Sequence, residues 1–235
     1  MADAPPQGVR ARARAQLLDD VGRVARAHLA ESGAAALSVR AIARDLGLAP
    51  SALYRYYPSR DALLTRLIID SYDSLGAAME VAEGEVDRDD VAERFRTIAR
   101  SLRAWATANP HEYALIYGSP VPGYEAPSDT IDPALRTSRT LIRLAADIEP
   151  TPAVLRSLAG RSPALDAQLR AANAVSGVDA DLDVLAVGVG IWSQLFGMVS
   201  FELFGTFTNA FDPADDLFEH QVDLALTALG LDPRT

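Results

Sequence analysis

The side chains best suited to chemistry lie close together, within residues 37–64. Ser38 and Arg40 fall at the start of a predicted helix, where a hydroxyl, backbone N–H groups and a guanidinium can bind phosphate. Ser51 and Ala52 fall near the start of the next predicted helix, where a hydroxyl can hydrogen-bond a base edge and a methyl can contact thymine. These groups indicate recognition of nucleic acid.

The elements that must position these residues follow a helix-turn-helix pattern. The first helix has an inner face of three apolar residues, Ile42, Ala43 and Leu46. Gly47 permits a tight turn, and Leu48 and Leu53 can pack the second helix against the first. The free side of the second helix carries Pro50, Ser51, Ala52 and Tyr54. A helix presented in this way inserts its N-terminal end into the major groove of DNA.

Helical periodicity runs through nearly the whole chain. The predicted helices cover about 17–29, 39–46, 50–56, 60–82, 91–108, 111–118, 133–148, 152–174, 181–206 and 213–229. No alternating pattern of useful length predicts a strand, and no internal repeat is present. We therefore predict an all-α fold.

The charge of the chain is unevenly distributed. The net charge is −10, but residues 1–66 carry ten arginines and six acidic residues, a net +4. An acidic protein is not suited to coating nucleic acid at large, because phosphate repels it. We therefore expect only the basic N-terminal part to meet an anion, with chance scatter of surface charge as the alternative. The chain has no cysteine, which excludes disulfides, zinc–cysteine sites and thiol nucleophiles.

One segment, 184–201, is uncharged and long enough to be weighed as a membrane span. Acidic residues flank it on both sides and no arginine lies near either end, which is wrong for an oriented span. We therefore interpret it as a buried helix of a soluble protein. Residues 1–8 are polar and lack the apolar core of a secretion signal, which predicts a cytoplasmic location.

The helix-turn-helix segment resembles the N-terminal domain of the TetR family of transcriptional regulators. The matching positions are Ser38, Ile42–Ala43, Gly47–Leu48, Leu53–Tyr54, Tyr57, Pro58–Ser59–Arg60 and Leu63–Leu64. Three positions depart from the family pattern. Ala49 stands where a capping serine is common, Arg60 replaces a lysine, and Tyr57 replaces a phenylalanine. The missing cap is expected to loosen the recognition helix by ~1 kcal/mol.

The resemblance implies an N-terminal three-helix DNA-binding domain over 1–59. The remainder, 60–235, would be a helical domain for effector binding and dimerisation that begins with a connecting helix over 60–82. The resemblance also implies that Tyr54 and Tyr56 donate phenolic O–H groups to phosphates. The complete predicted DNA-binding set is Ser38, Arg40, Pro50, Ser51, Ala52, Tyr54, Tyr56 and Arg60. Upstream, Arg10, Arg12 and Arg14 form either a basic arm that reaches DNA or a solvated helix start.

In regulators of this family the C-terminal part binds a small molecule. Four aromatic residues cluster around one predicted helix and the loop after it, namely Trp105, Tyr113, Tyr117 and Tyr124. They predict a pocket for an apolar or aromatic effector, with core or loop anchors as the alternative. The run WSQLFGMVSFEL, residues 192–203, resembles a subgroup with a Trp-His-Gly-type C-terminal domain. Phe196 occupies the histidine's place, so no role of that histidine transfers to this chain.

Small residues occupy one face of the predicted helix over 181–206, namely Ala186, Gly190, Ser193, Gly197 and Ser200. Such a face lets another helix approach closely, and a two-fold-related copy is the simplest partner. Together with Val222 and Leu226 of the following helix, these residues form the predicted dimer interface, since TetR-like proteins use a four-helix interface. The alternative is that the small face packs against an internal helix.

Together these features predict a cytoplasmic, homodimeric repressor that binds a pseudo-palindromic operator in double-stranded DNA and is released by a small-molecule effector. No cofactor, metal site or catalytic residue is predicted. The run 188–190 is only a fragment of a dinucleotide-binding loop, and the three histidines show no metal-ligand spacing. The alternative is a small all-α enzyme or ligand carrier with a non-functional helix-turn-helix.

Overall fold

The computed structural model describes residues 8–151, 154 and 160–233. Over these residues it contains helices, two short 3-10 turns (Ala34–Ala36 and Ser128–Thr130) and no strand, which confirms the all-α prediction. The helices are α1 Val9–Ser32, α2 Val39–Asp45, α3 Pro50–Tyr54, α4 Arg60–Gly84, α5 Val91–Ala108, α6 Pro110–Tyr117, α7 Ile131–Ala145, α8 Pro163–Ser176, α9 Leu182–Leu203 and α10 Asp215–Ala228.

The chain divides into two compact units. Unit 1 contains the residues up to Ser71 together with His111–Thr130, and unit 2 contains Tyr72–Pro110 and the residues from Ile131 onward. The division falls inside α4 and differs from the sequence-based boundary after residue 59. The reason is that the first part of α4 and the segment around α6 pack against the helix-turn-helix core.

The core of unit 1 is shared by α1, the helix-turn-helix and the start of α4. Ile42, Ala43 and Leu53 are fully buried, and Tyr57 is nearly so. Leu64 of α4 completes this layer. The apolar inner faces that the sequence predicts for α2 and α3 are therefore confirmed.

Local capping fixes where the short helices begin. The Oγ of Ser38 accepts a hydrogen bond from the backbone N–H of Ala41 at 3.4 Å. The Oγ of Ser59 accepts one from the backbone N–H of Ala62 at 3.0 Å at the start of α4. Helix α3 begins at Pro50, and Ala49 before it supplies no side-chain cap.

Unit 2 packs α9 against α5, α7, α8 and α10. Arg94 of α5 is 1% exposed. Its Nε donates to Glu83 Oε1 at 2.6 Å and its Nη1 donates to Asp147 Oδ2 at 2.9 Å. This guanidinium joins the end of α4 to the segment after α7. A buried arginine with two carboxylate partners is held firmly, because moving it away from both would leave its charge buried and unpaired.

A second arginine joins three helices of unit 2. Arg103 of α5 donates from Nη2 to Glu202 of α9 at 2.7 Å and from Nη1 to Asp215 of α10 at 3.0 Å. These hydrogen bonds hold the pKa of the Asp215 carboxyl below its ordinary value. The C-terminal end of α9 and the start of α10 are thus fixed to the same residue of α5.

The prediction of one helix over 152–174 is wrong in its described part. Gly160 has φ of 106°, and the Oγ of Ser162 accepts a hydrogen bond from the backbone N–H of Leu165 at 3.2 Å. With Pro163 in its first turn, this sequence starts a helix rather than continuing one. Positions 152, 153 and 155–159 lie outside the described residues. The other predicted helices are present, with ends that differ by some residues.

Candidate nucleic-acid interface and ligand cavity

The turn between α2 and α3 is fixed by its backbone. Gly47 has φ of 68°, which glycine adopts without strain, and the Leu48 N–H donates to the Ala43 carbonyl at 2.8 Å. Because Leu53 is fully buried, one side of α3 is held against the core. Pro50 and Ser51 are exposed on the other side. The N-terminal end of α3 is therefore presented as entry into a major groove requires.

Ser38 and Arg40 lie at the start of α2, close in sequence to this end of α3. The Arg40 side chain is exposed. Ser38 is half-buried, and because its Oγ acts as the acceptor of the helix cap, its O–H hydrogen is left to donate. A hydroxyl donor and a guanidinium so placed are suited to a phosphate.

Tyr54 and Tyr56 flank Arg55 at the end of α3. Both tyrosines are half-buried and pack against the unit 1 core. The Cζ of Arg55 lies 5.3 Å from the centroid of the Tyr56 ring, and that of Arg14 lies 5.8 Å from it. Two guanidiniums therefore add positive charge beside the tyrosines. Arg55 is not in the predicted DNA-binding set, although it lies between two predicted phosphate-binding residues in the sequence.

Arg60 is placed differently from the other predicted DNA contacts. Its Nη2 donates to the carbonyl of Ala34 at 2.9 Å, and its Nη1 donates to Asp61 Oδ1 at 3.5 Å. Arg60 thus ties the start of α4 to the turn after α1, and a contact with phosphate stays a prediction. Of the basic arm, Arg12 is exposed, and the side chain of Arg10 lies outside the described part of the chain.

An acid–base pair joins α1 to the end of α2. His28 Nε2 and Asp45 Oδ2 are 2.6 Å apart. The hydrogen bond from His28 holds the pKa of the Asp45 carboxyl below its ordinary value, and the nearby Arg44 acts in the same direction. The pair fixes α2, which carries Ser38 and Arg40 at its other end.

Unit 2 contains a cavity of about 390 Å³. Its described lining is contributed by α5, α7, α8 and α9, by Ile148 after the end of α7, and by Leu229 just after α10. It is mostly apolar, with α7 giving the largest share: Leu135, Ser138, Leu141, Ile142, Leu144 and Ala145. The polar groups among the described lining side chains are the hydroxyls of Ser138 and Ser176 and the indole N–H of Trp192. Such a lining is suited to an apolar small molecule.

The four aromatic residues predicted to bind the effector do not line this cavity. Trp105 is buried in unit 2, where its Nε1 donates to Ser74 Oγ at 2.9 Å. The other three belong to unit 1: Tyr113 and Tyr117 have ring centroids 5.1 Å apart, and the Tyr124 hydroxyl is 2.9 Å from Thr65 Oγ1. The structure therefore does not bring the predicted set together, because these rings serve as anchors of two different cores.

The small-residue face of α9 is open in the described chain. Gly190 and Ser193 are exposed, and Ala186, Gly197 and Ser200 are half-buried. A Cβ added at Gly190 or Gly197 would meet no atom within 4 Å. No described element of this chain therefore packs closely on these two glycines.

The other two residues of the predicted dimer interface are placed differently. Val222 and Leu226 are each 0% exposed, because they point into the core of unit 2. Their assignment to the surface of a dimer is wrong. The exposed side of α10 carries Leu224 instead, which is 46% exposed.

Helix α9 is long enough and apolar enough to cross a membrane, by length and composition alone. The core helices of soluble proteins meet the same criteria, so this is weak evidence for a span. Within the most apolar window of α9, 33% of residues are buried. The helix is thus covered on one side by its own unit and open on the other.

Comparison with known proteins decides the family. Residues 23–67 match the family described as "Bacterial regulatory proteins, tetR family", and residues 95–225 match "Tetracyclin repressor-like, C-terminal domain". The chain belongs to the TetR family. The resemblance of the helix-turn-helix segment to this family is confirmed.

Relatives and solved structures agree with this assignment. The HTH-type transcriptional regulators Rv1816 of Mycobacterium tuberculosis and Mb1846 of Mycobacterium bovis are each 35% identical over 213 residues, covering 85% of this chain and 86% of the relative. The solved regulatory protein SCO4313 has a TM-score of 0.75 at 35% identity, over 92% of this chain and 98% of that one. A protein from Rhodococcus sp. RHA1, with a TM-score of 0.66 at 21% identity over 98% and 99% of the two chains, shows the same fold.

The chain is therefore a DNA-binding transcriptional regulator with an N-terminal helix-turn-helix and a C-terminal helical domain. The matched relatives are named as transcriptional regulators and not as enzymes. Among the described residues no group of three or more histidine, aspartate or glutamate side chains is arranged to hold a metal ion.

Proposed function

We propose that this TetR-family regulator is a repressor, released from operator DNA when a small apolar molecule binds in the cavity of unit 2. The observation that carries the proposal is the cavity itself, about 390 Å³ in volume and mostly apolar over its described lining. Small-molecule sites commonly measure about 300–1,000 Å³ and are mostly apolar with a few polar groups.

The rim of the cavity supports entry of a ligand from solvent. Val175 of α8 and Val189 of α9 belong to the lining, and they are 50% and 46% exposed. A ligand that reaches these two side chains does not have to unfold the unit. Its apolar surface would leave water on entry, which is the main source of its binding free energy.

Helix α7 supports a route from the cavity toward the connecting helix. It lines the cavity, and its Arg136 donates hydrogen bonds to Glu80 and Asp73 of α4. An occupant that shifts α7 therefore acts on α4, which runs on into unit 1. By linkage the effector binds the DNA-incompetent state better, and DNA weakens effector binding by the same factor.

The regulator acts in the cytoplasm as a homodimer and carries out no catalytic step. The open small-residue face of α9, with the exposed side of α10 around Leu224, is the surface that a second copy would cover. Two copies related by a two-fold axis present two recognition helices, and this symmetry requires a pseudo-palindromic operator.

The test uses the full chain and an operator selected from random duplex DNA. The probe is N-phenyl-1-naphthylamine, a neutral apolar dye that fluoresces outside water. Ala172→Phe fills the cavity, because Ala172 belongs to its lining; Ala174→Phe is the matched control on the exposed side of the same helix. Wild type and Ala174→Phe should bind the dye and lose operator affinity with it, whereas Ala172→Phe should do neither. Dye bound equally by both variants, or bound without any change in operator affinity, would contradict the proposal.

A further inference from the structure

One polar hydrogen of the cavity lining has no partner among the residues that the structure describes. The indole nitrogen of Trp192 is buried and makes no hydrogen bond to any of them. Five such unpaired side-chain atoms occur among the described residues, and only that of Trp192 belongs to a residue lining the cavity. Buried indole N–H groups usually find an acceptor, because an unpaired one loses the hydrogen bond that it makes to water.

The remaining chemistry of the lining limits what can supply that acceptor. No charged side chain occurs among the described lining residues, and Ser138 and Ser176 carry their only hydroxyls. A carboxylate or an ammonium group would lose its hydration here and gain no opposite charge from the described lining. An indole N–H is a donor only, so it pairs with an oxygen or nitrogen lone pair and not with another donor.

The Trp192 ring packs against a neighbouring aromatic ring of the same helix. Its ring centroid lies 5.4 Å from that of Phe196, with the planes tilted by 58°. Phe196 is itself buried one turn further along α9. A donor held in place in this way gives affinity without the cost of ordering a flexible side chain.

We propose that the cavity binds a neutral, largely aliphatic molecule that carries one carbonyl oxygen, and that Trp192 Nε1–H donates a hydrogen bond to this oxygen. Ketones and esters belong to this class, and free carboxylates do not. The proposal rests on the proposed function, which assigns the cavity as the effector site, and adds the chemical class of the effector.

The experiment compares ligands that differ in one atom group. The pair is 2-undecanone and 2-methyl-1-undecene, in which a carbonyl oxygen is replaced by a methylene group; undecanoate adds a charge. Each competes with N-phenyl-1-naphthylamine for wild type, for Trp192→Phe, which removes the N–H, and for Trp105→Phe. Trp105 is the matched control because it is the other of the two tryptophans and lies outside the described lining.

The measured quantity is the ratio of the dissociation constants of the ketone and the alkene. Replacing the indole by the smaller phenyl ring changes the packing around both ligands, and this common effect cancels in the ratio. Trp192→Phe should shift this ratio against the ketone by roughly two- to tenfold, the value of one hydrogen bond. Trp105→Phe should leave the ratio unchanged, and undecanoate should compete least in all three proteins. A second measurement does not depend on the folding of Trp192→Phe. In the Trp105→Phe protein Trp192 is the single tryptophan. Under excitation that is selective for tryptophan over the tyrosines, saturating ketone should shift its emission to longer wavelength than saturating alkene.

Each contrary outcome has a distinct meaning. An unchanged ratio in Trp192→Phe, or equal emission with ketone and alkene, overturns the role of the indole N–H. Tightest competition by undecanoate overturns the neutral class. If the dye does not bind wild type at all, the proposed effector site fails and this inference fails with it.

Discussion

The side chain of Arg136 lies directly across Gly76. A Cβ added at Gly76 would stand 2.6 Å from Arg136 Cδ, so only glycine lets the arginine stem pass at this point of α4. Beyond the glycine, Arg136 donates from Nε and Nη2 to the two carboxylate oxygens of Glu80, at 2.9 and 2.6 Å. Arg136 thereby fastens the cavity-lining helix α7 to the connecting helix α4.

The first prediction concerns the pH dependence of this attachment. The hydrogen bonds from Arg136 hold the pKa of the Glu80 carboxyl below its ordinary value. In the unfolded chain the pKa of Glu80 is about 4.3, and above that pH the hydrogen bonds contribute their full stabilisation. This stabilisation is lost as pH falls through the lower pKa that Glu80 has in the folded chain. Arg136→Met keeps the aliphatic stem and should lower the free energy of unfolding near neutral pH by about 1–2 kcal/mol, since the pair is partly exposed.

Urea unfolding as a function of pH checks this prediction. The difference between wild type and Arg136→Met should shrink as pH falls below the pKa of Glu80 in the unfolded chain and through its lower pKa in the folded chain, because Glu80 is then protonated in both states. Glu80→Gln should show the same trend with the same sign. A difference that stays constant with pH would show that the attachment is not electrostatic.

The second prediction concerns Gly76. A glycine-to-alanine change inside a helix usually stabilises by up to about 1 kcal/mol. Here the new methyl group collides with the Arg136 stem, so Gly76→Ala should be neutral or destabilising in wild type. In the Arg136→Ala background the collision is absent, and Gly76→Ala should raise the free energy of unfolding as a glycine-to-alanine change inside a helix usually does. Additive effects in this double-mutant cycle, measured by urea unfolding, would contradict the close approach.

The helix-turn-helix was predictable because its signals are local. Ile42, Gly47 and Leu53 lie within twelve residues of one another, and their types specify a face, a turn and a second face without help from the rest of the chain. Ser59 likewise marks the start of α4, because a cap depends only on the residues beside it.

The cavity was not predictable, because its lining comes from distant segments. Phe95, Ala172 and Trp192 lie on three helices far apart in sequence, and only tertiary packing brings them together. Aromatic clustering in the sequence instead selected Trp105 and three tyrosines. Periodicity also marked an apolar face on α10 without showing which neighbour covers it, so two residues of the core were assigned to a dimer interface.

The third prediction tests whether Ser51 recognises bases, as distinct from binding phosphate. Ser51 is exposed near the N-terminal end of α3, where a hydroxyl can reach a base edge. Ser51→Ala should alter the order of affinities among single-base variants of the selected operator, by ~1–3 kcal/mol at a directly read position. Mobility shifts over the full set of variants measure this, and an unchanged order would remove Ser51 from base recognition.

The fourth prediction is the counterpart for Tyr54. Tyr54→Phe keeps the ring that packs on the unit 1 core and removes the phenolic O–H. It should weaken binding to all operator variants by a similar factor, because contacts with phosphate carry no base information. The same set of mobility shifts serves as the measurement, and a loss confined to particular sequences would contradict a phosphate role.

The last prediction tests the open face of α9. A Cβ at Gly197 meets nothing within 4 Å, so Gly197→Leu has room in an isolated chain and should leave its fold intact. If a second copy covers this face, the two leucines introduced at a close helix contact should cost ~1–3 kcal/mol or more. Gly84→Leu is the matched control, because its Cβ is equally unobstructed and it lies at the end of α4, away from α9.

Light scattering should show a dimer for wild type and Gly84→Leu and a larger monomer fraction for Gly197→Leu, with parallel loss of operator binding. A Gly197→Leu protein that stays dimeric and binds DNA as wild type does would remove this face from the interface.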